Sequence, residues 1–61
     1  MTDVDMYIHQ QTDRAIFASD TGEVDDAVWL PLSLVEITPI AGQVSVTVTM
    51  PNWLAQREGL I

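Results

Sequence analysis

Asp20-Thr21-Gly22 is the tripeptide on which aspartic proteases carry their catalytic carboxylate, and it is the first place in this 61-residue chain where chemistry could reside. That chemistry needs two aspartates held so close that only one can ionise, inside a cleft that surrounds the substrate. A chain this short has no room for such a cleft. The same three residues make an ordinary hairpin turn, because aspartate caps it and glycine takes the positive φ angle.

Metal binding is the next chemistry to weigh, since Asp20, Glu23, Asp25 and Asp26 lie within seven residues and hard cations prefer oxygen ligands. An EF-hand loop requires glycine at its sixth position and glutamate at its twelfth. Counted from Asp20, glycine is third (Gly22) and the twelfth residue is Pro31, so the spacing does not match and no metal or other cofactor is expected. Nucleophilic catalysis needs a base beside the nucleophile. The only histidine, His9, is expected on the outer face of the first strand, exposed and unpaired. No glycine-rich phosphate loop is present, and Arg14 and Arg57 are far apart in sequence. The chain is therefore expected not to be an enzyme.

What remains is an array of carboxylates. Nine acidic residues against two arginines give a formal net charge of −7. Such a field repels nucleic acid and anionic lipid, and it favours a basic partner. Asp3, Asp5, Asp13, Glu23, Asp25, Asp26 and Glu36 are the candidate partner-binding residues. Successive outward residues on a strand stand about 6.6 to 6.8 Å apart, a spacing that could stand in for backbone phosphates, which rise about 3.4 Å apiece along one strand of DNA. The acidity also has a plainer reading, a solvated rim that keeps a small apolar-rich domain from aggregating. Both readings stand at this point.

These side chains must be positioned by β-structure. From Asp3 to Gln11, Val4, Met6 and Ile8 alternate with Asp3, Asp5, Tyr7 and His9, the pattern of a half-buried strand with an acidic outer face. Arg14 to Ser19 is a second apolar segment that runs into the turn formers Asp20 to Glu23, and Ala27 to Leu30 is the returning strand of a hairpin, stopped at Pro31. Leu32 to Thr38 fits a strand or one turn of helix about equally well, and an irregular strand is the expectation. The clearest strand is Val44, Val46, Val48 and Met50 alternating with Ser45, Thr47 and Thr49, because β-branched residues coincide with period two. Asn52 is a candidate N-cap for a short helix over Trp53 to Glu58, and Gly59 with Leu60 offers a left-handed, Schellman-type ending. The expected class is mainly β (α+β): a curved, partly closed antiparallel sheet of about four strands with one short C-terminal helix. Trp29, Phe17, Val44, Val46, Val48, Trp53 and Leu54 are the expected core.

Residues 1–61 make a single small domain, which at this size buries only about 60% of the surface its unfolded chain exposes. With no cysteine and a single histidine, neither disulfides nor a histidine–cysteine metal site can staple it. Its stability must come from the core, from a second copy, or from both, so monomer and homodimer are both open. The longest apolar stretch, Ala27 to Val35, is nine residues against about 20 needed to span a bilayer. Met1 to Asp5 lacks the positive start and apolar run of a secretory signal, and the expected location is the cytoplasm.

The spacing of Trp29-Leu30-Pro31-Leu32-Ser33 and the ending Pro51-Asn52-Trp53-Leu54-Ala55, closing in Gly59-Leu60, resemble a small β-domain common in phage and phage-derived genes. That group has a strand leading into a Trp-Ile-Pro-Lys-Ser-type segment. The resemblance covers about Tyr7 to Leu60 and departs at Leu32, where the pattern has a basic residue, so no role of that lysine carries over. In its small size and acidity the chain is also similar to anti-CRISPR proteins, several of which mimic DNA and occupy the DNA path of a CRISPR effector. The resemblance implies a phage-encoded inhibitor in the host bacterial cytoplasm whose partner is a basic nucleic-acid-binding protein, such as a CRISPR effector subunit of a Cascade-like complex. The alternative is a non-catalytic β-domain that associates with itself or with a larger phage or bacterial protein through apolar surface or an edge strand.

Overall fold

The computed structural model describes residues 1–61. Five strands form one antiparallel sheet: β1 (Thr2–Gln11), β2 (Ala15–Ser19), β3 (Val28–Pro31), β4 (Glu36–Pro39) and β5 (Val46–Met50), in the order β3-β2-β1-β5-β4. A 3-10 turn at Val24–Asp26 precedes β3, and the single α-helix, α1 (Asn52–Arg57), follows β5. The mainly β class with a C-terminal helix is as expected. The fifth strand, Glu36–Pro39, takes up the end of the Leu32–Thr38 segment expected as an irregular strand and one residue beyond it, while residues 32–34 form a turn. The expected partial closure is corrected: the sheet stays open, because its edge strands β3 and β4 each pair on one side only and not with one another.

β1 is the organising element because each half of it pairs with a different partner. Thr2–Met6 pair with β5 in the register Asp3↔Thr49 and Asp5↔Thr47. Beyond Met6, Tyr7 pairs with Ser19 and Ile8 with Ala18, after which the register slips so that Gln10 faces Phe17. His9 is the extra residue of this β-bulge, which bends the strand and locally increases its twist. Both edge strands are four residues long and end in proline, Pro31 and Pro39. Proline offers no amide hydrogen to a further strand, so these edges are poor templates for strand addition.

Alternation along the strands decides what is buried. Met6, Ile16, Ala18, Leu30, Val48 and Met50 point to the inner face and are fully buried, and α1 covers them with Leu54 and Ala55. The expected core is corrected at four positions. Phe17 and Trp29 face each other on the opposite side of the sheet, with Phe17 half-buried and Trp29 47% exposed. Their neighbours Ile16, Ala18 and Leu30 take the inner face, and period two allows only one of the two sets inside. Val44 precedes β5 and is 89% exposed, while Trp53 lies on the outer side of α1 at 50%. Val48 and Leu54 are in the core as expected, and Val46 packs partly buried against it.

The helix begins one residue earlier than the sequence suggested, with Pro51 as its N-cap. Asn52 does not cap it; its side-chain carbonyl instead accepts from the Thr2 hydroxyl, tying the helix start to the first residue of β1. The C-terminus is a Schellman ending: Leu60 N–H donates to Ala55 O at 2.8 Å and Gly59 N–H to Gln56 O at 3.2 Å, with Gly59 at φ +74°.

Candidate functional site: the outer face of the sheet

With the inner face committed to the core and the helix, the outer face is covered only where the loop after β2 lies on it, and its composition divides at the middle of β1. Toward β5 and β4 it is acidic and hydroxylated. Asp3, Thr49 and Glu36 form one row across three strands, and Asp5, Thr47 and Thr38 form the next. Neighbouring strands lie about 4.8 Å apart, so Asp3 and Glu36 flank Thr49 at about 10 Å from one another, while Asp3 and Asp5 stand about 6.7 Å apart along β1. The threonines orient the carboxylates: Thr49 Oγ1 donates to Asp3 Oδ1 at 2.7 Å and Thr47 Oγ1 to Asp5 Oδ1 at 3.2 Å. Each aspartate keeps its second oxygen free of side-chain donors.

Toward β2 and β3 the same face is aromatic. The Phe17 and Trp29 rings stack at 4.9 Å between centroids, tilted by 31°. The His9 ring meets Phe17 edge-on at 6.3 Å. Tyr7, 39% exposed, sits between the two halves, one outward position beyond Asp5. A Cβ built on Gly22 would lie 3.6 Å from the Tyr7 ring, so the loop after β2, which carries Asp20, Glu23, Asp25 and Asp26, rests on that ring at Gly22.

Six of the seven expected partner-binding residues thus fall in two groups, Asp3, Asp5 and Glu36 on the sheet and Glu23, Asp25 and Asp26 on the loop that touches Tyr7 at Gly22. Asp13 is apart. It lies in the tight turn from β1 to β2, where Thr12 Oγ1 accepts from the amides of Arg14 and Ala15, at the far end of β1 from Asp3. The sequence expectation places Phe17 and Trp29 in the core, because alternation through Ile16, Phe17 and Ala18 separates two faces without saying which of them the helix covers.

Asp20-Thr21-Gly22 is a turn, with Gly22 at φ +87°. Thr21 Oγ1 donates to Asp26 Oδ2 at 2.8 Å and accepts from the Glu23 amide at 3.2 Å, which fixes the loop internally. No three acidic or imidazole side chains of the chain are arranged to hold a metal ion. His9 is corrected: it is half-buried and paired, its Nε2 lying 2.8 Å from Ser19 Oγ. Ser19 Oγ also accepts from the Gly22 amide at 3.0 Å, and Ser19 is fully buried. A hydroxyl so enclosed cannot reach a substrate, and this pair clamps the loop to the bulge of β1.

The one ion pair joins the adjacent Arg57 and Glu58 at 3.2 Å. No cation of the chain neutralises the outer face. Comparison with protein-family models, curated proteins and solved structures finds no match.

Proposed function

We propose that this chain is a non-catalytic binding domain whose outer sheet face occupies a basic, nucleic-acid-binding surface of a protein partner, as an inhibitor of the anti-CRISPR kind acting on a bacterial defence complex. The observation that carries this reading is the row structure of the face. Asp3, Asp5 and Glu36 are fixed at strand spacing, aimed outward, and free of any internal cation. A groove lined with Lys and Arg gains from such a face what it gains from phosphates, since both release the counterions that the separated charges hold.

The test is a triple variant, Asp3→Asn, Asp5→Asn, Glu36→Gln, which leaves the core untouched. Tagged protein is used to capture partners from bacterial lysate, followed by washes at rising salt and with competing DNA. The expected result is a nucleic-acid-binding complex released by salt or DNA and not captured by the triple variant. Equal capture by the variant would defeat charge mimicry.

A second reading, an interaction module that is not charge-driven, is favoured by the exposed rings on the same face. Strand addition is the weaker form of it, because both edges are short and end in proline. A partner retained at high salt, where exposed charge pairs are screened, would establish this second reading in place of the first.

A further inference from the structure

We propose that the outer face recognises arginine in particular, so that the partner presents guanidinium groups rather than lysine ammoniums to it. The inference rests on the charge-driven reading above and names the chemistry of the partner. The chain holds two tryptophans, and they differ in their electrostatic company. Trp53 already has a cation over its ring, with the Arg57 guanidinium carbon 5.3 Å from the centroid. Trp29 has none: its ring stacks on Phe17 and is otherwise 47% exposed.

Trp29 and Tyr7 are exposed rings on one face of a strongly acidic chain, and Tyr7 has an anion close by, with Asp5 one outward position away along β1 and the loop that carries Asp20 and Glu23 resting on its ring by way of Gly22. A planar, weakly hydrated guanidinium can stack on a ring and at the same time donate in a fork to a carboxylate. A lysine ammonium is a hydrated point charge that pairs with the carboxylate but offers neither the planar fork nor a flat face to stack. The free oxygen of Asp5, left when Thr47 engages the other, is the acceptor that a stacked arginine would find beside Tyr7.

Two synthetic peptides of equal length and charge, one carrying arginines and the other lysines at the same positions, test the inference against the full-length chain. Affinity is measured by titration calorimetry, with amide and indole chemical shifts locating the contact. The arginine peptide is expected to bind about two- to fivefold more tightly, the range that a cation–π contact gives at an exposed site, with shifts at Trp29 and Tyr7. Trp29→Leu with Tyr7→Val should remove most of that preference while retaining lysine-peptide affinity. The triple variant Asp3→Asn, Asp5→Asn, Glu36→Gln should weaken both peptides. Circular dichroism checks that each variant folds, and the single variant Tyr7→Val stands in if the double variant does not. Equal affinity of the unaltered chain for both peptides, or a preference that survives loss of the rings, would overturn the arginine inference and leave the charge-driven reading standing. Failure of both peptides to bind, or shifts confined to Trp53 and α1, would overturn the two together.

Discussion

Trp53 and Leu54 are adjacent in the first turns of α1 and have opposite fates. Leu54 is fully buried under the helix against the sheet, whereas Trp53 is half exposed and packs by its ring face against the guanidinium of Arg57. The larger side chain therefore contributes less to stability. Leu54→Ala is expected to cost about 2 to 5 kcal/mol, because it removes apolar burial and leaves a void. In a domain whose core supplies only about 3 to 5 kcal/mol in all, that substitution should leave the chain largely unfolded. Trp53→Ala should cost about 1 kcal/mol or less. Urea denaturation of the two variants, followed by far-ultraviolet circular dichroism, compares them directly. A Trp53 variant less stable than the Leu54 variant would mean that the helix packs with its other side down.

At the scale of elements, the bulge in β1 and the loop after β2 are one device. The bulge brings His9 over the outer face, where its Nε2 meets Ser19 Oγ, and the same oxygen accepts from the Gly22 amide. The loop that carries four of the nine carboxylates is thereby held against Tyr7. Ser19→Ala removes the shared oxygen and leaves a partly buried amide and a half-buried imidazole without it. A cost of about 1 to 3 kcal/mol is expected. The Gly22 amide should also exchange with solvent faster, while the amides of β5 slow or quicken only with global stability. Hydrogen exchange measured by NMR checks this. Unchanged exchange at Gly22 would show that the loop is held by Thr21 and Asp26 instead.

At the scale of the whole molecule, charge is the dominant fact. A net charge of −7 is spread over a surface of 3922 Å², and one ion pair between chain neighbours offsets almost none of it. Mutual repulsion among the carboxylates should destabilise the folded state at low ionic strength, where the Debye length reaches about 30 Å and so spans the molecule. Raising salt from about 0.01 M to about 0.15 M shortens that length to about 8 Å. The thermal midpoint should rise by several degrees, since about 1 kcal/mol corresponds to about 4 to 8 °C for a domain of this size. A midpoint that falls with added salt would mean that the carboxylates are held by attractive contacts rather than by the fold working against their repulsion. No helix of the chain is long and apolar enough to cross a membrane, and both sheet edges end in proline.

The amino-acid sequence by itself determined the β-strand alternation, the turn at Asp20 to Glu23, the acidic side of β1 and the Schellman ending at Gly59. Each of these is set by a few neighbouring residues: period two, a glycine at positive φ, a stop signal. Three features were decided only by the tertiary structure. Phe17 and Trp29 are large and apolar, and local pattern could not tell which face of the sheet the core would claim; the inner face went to Ile16, Ala18 and Leu30 because α1 packs there. His9 became a paired, half-buried residue only because β1 changes partner and bulges in its middle. Glu36 joined Asp3 across Thr49 only when β4 found β5, a pairing between distant segments that no local spacing encodes. The acidic residues were legible as a list, and strand register turned three of them into a surface.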